Sequence, residues 1–316
     1  MARKLRLEYE GAIYHVLNRG DRREPIFKGD RDREMFLETL AQAAQKTGWQ
    51  IHAYCLMNNH FHLVLETPNA NLVAGMKWFL GTYTGRFNRR YKLFGHLFSG
   101  RYKSVIIDGG GNGYLRTACD YVHLNPVRAK LLRPEQKLRH YQWSSYRQYL
   151  QPPGRRPAWM RTGRLFGEMG IPKDSAAGRR QFERMTEQRR GLDDPQTLKD
   201  LRRGWCLGEE TFRTELLEQI GRRMGVEHYG EERRETDQLK AERIVAEALR
   251  RAGWKESELA RRPKGDKIKT ALAQRLREET TMSLKWIATR LQMGSWTYVS
   301  NLLAAQRDRK FNGKCK

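Results

Sequence analysis

His60-Phe61-His62 lies inside an apolar run with the pattern of a β-strand. Alternation along a strand turns both imidazoles to one face and Phe61 to the other. Two neutral imidazoles side by side form a metal-binding pair, and histidine suits Mn²⁺ and Zn²⁺ better than Mg²⁺. The same triplet also occurs where histidines only pack in a sheet or meet solvent. A second stretch, Cys119-Asp120-Tyr121-Val122-His123-Leu124-Asn125-Pro126-Val127-Arg128, is helical in pattern, and Pro126 ends or bends that helix near Asn125. Tyr121 and Asn125 stand four apart and share a helix face. Taken singly, a helical tyrosine is usually a core residue, and asparagine before proline is a common helix stop.

Taken together, the two stretches suggest one reaction. A metal held by His60 and His62, with the Asn125 carboxamide oxygen completing its shell, acts as a Lewis acid on a phosphate oxygen. Tyr121 then attacks phosphorus as a covalent nucleophile. The metal is needed because a free phenol, with a pKa of about 10, is a poor nucleophile at neutral pH. The product is a phosphotyrosyl protein and a released 3′-hydroxyl, which can attack in turn and rejoin the strand.

The elements that must position these residues follow from hydrophobic spacing. Ala12 to Leu17 reads as a strand ending at Asn18-Arg19-Gly20. Asp30 caps a helix with Met35, Phe36, Leu40 and Ala44 on one stripe, closed by Gly48. Strands from Gln50 to Met57 and Phe61 to Glu66 flank the turn Asn58-Asn59. A helix beginning near Asn71 carries Leu72, Met76, Phe79, Tyr83 and Phe87, and a strand runs from about Tyr102 to Ile107. The tyrosine-bearing helix covers roughly Tyr114 to Leu124. The order β-α-β-β-α-β plus an added helix defines an α+β fold of ferredoxin-like (RRM-like) topology with an antiparallel sheet. A further strand from Trp143 to Leu150 completes this reading.

Length and composition set the wider frame. A chain of 316 residues favours two or three domains, and 39% hydrophobic content supports a substantial core. The reading is a domain over 1–150, a linker and helical region of unassigned role over 151–237 starting at Pro152-Pro153-Gly154-Arg155-Arg156-Pro157, and a helical domain over 238–316. In the last, Leu284 to Leu291, the turn Gln292-Met293-Gly294-Ser295, and Trp296 to Ala305 resemble a helix-turn-helix. Its second helix would offer Thr297, Tyr298, Ser300 and Asn301 to DNA. An ordinary α-hairpin in a helical bundle has the same pattern.

The 61 Lys+Arg against 36 Asp+Glu give a net charge of +25 and favour a polyanionic partner. Membranes are disfavoured, because no apolar run is long enough to span a bilayer and the N-terminus lacks the apolar stretch of a secretory signal. Cys55, Cys119, Cys206 and Cys315 are too dispersed for a zinc site or a disulfide framework, which fits a reducing cytoplasm. Arg86, Arg89, Arg90, Arg101 and Lys103 are candidate phosphate contacts, with Phe87, Tyr91 and Tyr102 interleaved as stacking surfaces. Tyr114, His123, His15 and His52 read as structural residues. Nothing in the sequence requires a role for Asp120.

Three segments carry a resemblance. Tyr-His-Val-Leu-Asn-Arg-Gly at 14–20, Met-Asn-Asn-His-Phe-His-Leu-Val-Leu at 57–65 and Asp-Tyr-Val-His-Leu-Asn-Pro-Val-Arg-Ala at 120–129 together resemble REP-associated tyrosine transposases. These are domesticated relatives of single-tyrosine insertion-sequence transposases in the HUH endonuclease superfamily. The resemblance covers about residues 1–150. It implies that His60 and His62 are the HUH pair, Tyr121 the nucleophile and Asn125 the third ligand, where insertion-sequence relatives tend to use glutamine. It implies a bacterial, cytoplasmic, nucleoid-associated protein requiring Mg²⁺ or Mn²⁺, with single-stranded hairpins of repetitive palindromes as substrate and flanking duplex as a further partner. Insertion-sequence relatives share sites in homodimers, whereas REP-associated proteins look able to work as monomers. The residues beyond the catalytic domain depart from the minimal family pattern. Two other readings stand beside this one: a DNA-binding regulator with an inactive transposase domain, and a replication or conjugation nickase of the same superfamily.

Overall fold

The computed structural model describes residues 7–192, 194–224 and 232–312. The N-terminal Met1 to Arg6 and Cys315, read above, lie outside the described residues. The chain divides into two compact units, 1–228 and 229–316.

The first unit opens with β1 (Ala12–Arg19), α1 (Asp30–Thr47), β2 (Gln50–Leu56), β3 (His60–Thr67), α2 (Leu72–Tyr91), β4 (Lys103–Ile107) and α3 (Tyr114–His123). This is the β-α-β-β-α-β order plus added helix that the hydrophobic spacing predicts. Gly48 closes α1 in the left-handed conformation, as expected. Asp30, however, does not cap that helix. Gly29 occupies the cap, Asp30 is the first helical residue, and Asp32 Oδ2 accepts from the Lys28 amide at 2.8 Å.

The sheet order is β2-β3-β1-β4-β5, in which β1–β4 pair antiparallel. The two-residue β5 (Cys206–Leu207) lies parallel to β4, so the sheet is mixed, where an antiparallel one was expected. Alternation sends two side-chain sets to opposite layers. Tyr14, Val16, Leu56, Phe61, Leu63 and Leu65 pack under α1 and α2 with Phe36, Phe79 and Tyr83. Phe36 meets Phe79, Phe61 and Tyr83 at ring distances of 4.8, 4.9 and 5.0 Å, and each such aromatic pair adds roughly 1 kcal/mol beyond its buried area. The opposite face, with Ile13, Cys55, Val64 and Val105, packs against α3 and holds Tyr121. Close approach explains Gly75 on α2: a Cβ there would lie 2.2 Å from the Trp49 indole.

After α3 come α4 (Asn125–Arg128), α5 (Tyr146–Leu150), α6 (Gly163–Glu168), α7 (Ala176–Gln188), α8 (Pro195–Arg203), β5 and α9 (Glu210–Met224). The strand expected from Trp143 to Leu150 is therefore mostly helix. Only its start follows the β2 edge, with Leu56 N bonding Trp143 O at 2.9 Å and Ser144 bridging Cys55. Tyr146 and Tyr149, three apart and fully buried, need a helical turn to reach the same core.

The proline-rich segment expected as a linker lies within the first unit. Arg156 explains why it is ordered. Its guanidinium donates to Gln148 O and Gln151 O and pairs with Asp174. Trp159 and Arg161 then bond Ile51 across the outer edge of β2.

In the second unit, α10 (Glu232–Ala252), α11 (Glu258–Arg261), α12 (Lys267–Glu279), α13 (Leu284–Arg290) and α14 (Trp296–Asn312) enclose Ile244, Leu272, Leu276, Ile287, Leu291 and Val299. Gly294 in the turn has φ 83°, and Ser295 Oγ accepts from the Tyr298 amide, capping α14. Lys269 is fully buried, and its ammonium donates to the carbonyls of Leu259, Arg262 and Gln292, which ties the turn to the helices before it. Among the described residues, no helix is long and apolar enough to cross a membrane.

Candidate nucleophile and histidine site

His60 and His62 lie on β3 facing the α3 layer. Strand register fixes their neighbours: Arg19 stands opposite His60, and Lys103, Leu17, His62 and Cys55 form one row across β4, β1, β3 and β2. The His60 and His62 rings are 5.1 Å apart. His60 Nδ1 bonds Asn59 Oδ1 at 2.8 Å, and His62 Nδ1 bonds His15 Nε2 at 3.0 Å. Each ring is thereby held through Nδ1, which leaves Nε2 as the available ligand atom. Burial, reinforced by Arg19, pushes the His60 pKa down to about 4. Burial and then the neighbouring His15 hold His62 well below the usual range. Both imidazoles are neutral at pH 7, the form that binds metals.

Tyr121 comes from α3. Its ring stands edge-on to His62 at 5.6 Å and to His15 at 5.3 Å. Two arginines grip it. Arg128 donates to the Tyr121 carbonyl at 2.6 Å with its guanidinium 4.8 Å from the ring centre, and Arg202 Nε donates to the phenol oxygen at 3.4 Å. A cleft of about 120 Å³ adjoins the tyrosine, lined in part by Thr117, Arg128, Arg189 and Thr197. Asp120, also on this cleft, pairs with Arg189 at 2.6 Å and Arg116 at 3.7 Å. Burial outweighs these two cations and Arg128 and raises its carboxyl pKa to about 6.

Asn125 is the first residue of α4, buried, with its Nδ2 lacking a hydrogen-bond partner. Among the described residues, no group of three or more His, Cys, Asp or Glu is placed to hold a metal ion. The donor chemistry still fits a divalent cation. Two neutral imidazoles present Nε2. Asn125 follows Tyr121 across the break between α3 and α4, where one continuous helix face was expected; its unpartnered atom is the Nδ2 donor, so any ligand role would fall to Oδ1.

The remaining expected residues divide. Arg89, Arg101 and Lys103 are exposed. Arg86 instead donates to Thr39 and Gln42 on α1, and Arg90 pairs with Asp32. Phe87 and Tyr102 are buried and offer no stacking face, a correction to the sequence reading that follows from Phe87 lying on the core stripe of α2. Tyr91 is tied to Asp32 through its hydroxyl. His123 bonds Ser145 within an aromatic core, Tyr114 packs beside that core, and His52 bonds Glu66 and Arg161 O, so these three are structural as expected. Thr297, Tyr298 and Asn301 are exposed on α14, beside an exposed Trp296. Sequence reasoning missed His15, Arg128 and Arg202 as members of this constellation. Arg128 alone carried a signal, since it ends the motif that contains Tyr121.

A ferredoxin-like sheet carrying a strand-borne His-x-His pair beside a helix-borne tyrosine defines the class of this first unit. Residues 8–125 match the family described as transposase, IS200 like, which bears out over that segment the resemblance carried by the three motifs. No curated protein matches the chain. A solved structure described as "Structure of the REP associates tyrosine transposase bound to a REP hairpin" is 14% identical, with a TM-score of 0.39, and the similarity covers 47% of this chain and 84% of that one.

Proposed function

We propose that the protein is a metal-dependent single-stranded DNA endonuclease and strand transferase of the HUH type, with Tyr121 as its nucleophile. The observation that carries this reading is the edge-on contact of Tyr121 with His62, 5.6 Å between ring centres, in a chain whose residues 8–125 match transposases. In the reaction, the Tyr121 oxygen forms a bond to phosphorus as the bond to O3′ breaks. The phenol proton leaves to solvent, the departing 3′-oxygen takes up a proton, and the DNA remains as a 5′-phosphotyrosine ester. Reversal by a 3′-hydroxyl rejoins a strand, and no outside energy source is needed because one phosphodiester replaces another.

His60, His62 and Asn125 would hold Mg²⁺ or Mn²⁺, which supplies Lewis-acid polarisation of the scissile phosphate. Arg19 and Lys103, on the same sheet face as the histidines, together with exposed Arg89 and Arg101, would track the backbone of the incoming strand. The motif resemblance supports hairpin DNA as the substrate and the bacterial nucleoid as the place of action. Thr297, Tyr298 and Asn301 would meet duplex DNA flanking the hairpin through α14. The regulator reading draws on one observation, the burial of Tyr121 in this state. Incubation with end-labelled hairpin DNA and Mn²⁺ separates the two. The endonuclease reading expects a covalent protein–DNA band that Tyr121→Phe abolishes, and the regulator reading expects binding with no such band.

A further inference from the structure

We propose that Arg202 on α8 is a catalytic residue, donating first to the Tyr121 oxygen and then, as displacement proceeds, to the phosphoryl oxygens beside it. This rests on the reading of Tyr121 as nucleophile and adds a group from outside the residues 8–125 that match the family. The contact is direct: Arg202 Nε lies 3.4 Å from Tyr121 Oη.

Three features fit Arg202 for the task. Its placement is fixed from both sides. Asp194 caps α8 by accepting from the amides of Gln196 and Thr197, and Leu198 and fully buried Leu201 pack in the core that holds Tyr121. Immediately afterwards the chain joins the sheet as β5, with Ile106 N bonding Trp205 O at 3.0 Å and Asp108 N bonding Leu207 O at 2.8 Å. Its charge is also unspent. Arg189 is committed to Asp120, and Arg128 donates to the Tyr121 carbonyl, whereas among the described residues no carboxylate pairs with Arg202. Finally, the residue is exposed while Tyr121 is buried, so its guanidinium is open to solvent beside the phenol it bonds. A planar guanidinium with several donors can stay on the phenol oxygen while a second N–H reaches a phosphoryl oxygen. Preorganised donors of this kind act where charge develops during displacement.

The test uses the full chain with Mn²⁺ and a pool of single-stranded hairpin oligonucleotides with randomised stems and flanks. Single-turnover adduct formation is followed at saturating DNA for wild type, Tyr121→Phe, Arg202→Ala and Arg202→Lys, with binding measured in parallel and melting temperatures checked. Adduct in wild type but not in Tyr121→Phe establishes the nucleophile, and its absence from wild type sinks that reading and this one together. Given the adduct, Arg202→Ala is expected to slow its formation on the order of 100-fold with binding changed less than threefold. Arg202→Lys should recover part of the rate, and added guanidinium should rescue Arg202→Ala, which loss of a structural contact would not permit. An Arg202→Ala rate within twofold of wild type overturns the proposal. So does an increase, which would mean that Arg202 restrains the phenol instead of serving it.

Discussion

His15 Nε2 and His62 Nδ1 lie 3.0 Å apart, with the two rings stacked 7° from parallel across neighbouring strands. This bond fixes the orientation of His62 through Nδ1 and leaves Nε2 as its other ring nitrogen, the role that partners of metal-bound histidines usually play. Replacing His15 should therefore weaken metal use without removing a ligand. His15→Ala is expected to raise the Mn²⁺ concentration needed for half-maximal adduct formation roughly 10- to 100-fold. His15→Asn, which keeps a polar partner, should lose less. An unchanged metal titration in His15→Ala would show that the stacked pair serves only packing.

Glu66 anchors the far end of the same strand. Its carboxylate bonds His52 and pairs with Arg161 and Arg164 at 3.1 and 2.8 Å, joining β3 to the segment after the proline-rich stretch. The bond to His52, and then the two arginines against the opposing effect of burial, hold its pKa down to about 2. A depressed acid favours the folded state above its unfolded pKa of about 4.5, and the benefit fades as pH falls from there toward 2. Glu66→Gln should lower stability near pH 7 and flatten its decline between pH 5 and 2. Denaturant melts across that window check the slope, and parallel slopes for both proteins would contradict the assignment.

How much of this was legible in the sequence depends on range. The alternation around His60-Phe61-His62 and the stripe from Leu72 to Phe87 are local periodicities, and both elements stand where that spacing predicts. His15 could not be placed, because its neighbour His62 is set by the register between β1 and β3, which no single segment encodes. Arg202 was equally silent: it reaches Tyr121 only because α8 docks by two leucines and a two-residue strand follows. The aromatics Phe87 and Tyr102 misled, since their basic neighbours suggested a nucleic-acid surface while their own positions belong to the core. Trp143 to Leu150 misled for a related reason. Its first residues do follow a sheet edge, but the i,i+3 tyrosines after them bury only as a helix.

The exposed start of α14 carries the expectation of duplex contact. Thr297→Ala/Tyr298→Ala/Asn301→Ala in the full chain removes three exposed side chains and should leave the fold intact. Affinity for duplex-flanked hairpins is expected to fall at least tenfold, while adduct formation on bare hairpins stays within twofold. Equal affinity for flanked DNA in both proteins would leave α13 and α14 as an ordinary structural hairpin.

The central claim is that Tyr121 carries the cleaved strand, and peptide mapping of the trapped adduct tests it most directly. Wild-type protein would be reacted with hairpin DNA and Mn²⁺, digested with nuclease and protease, and sequenced by mass spectrometry. The account predicts a nucleotide 5′-phosphate on the Tyr121 phenol oxygen, absent in Tyr121→Phe and in His60→Ala/His62→Ala. A phosphonucleotide on another residue, or an adduct that persists in Tyr121→Phe, would contradict it.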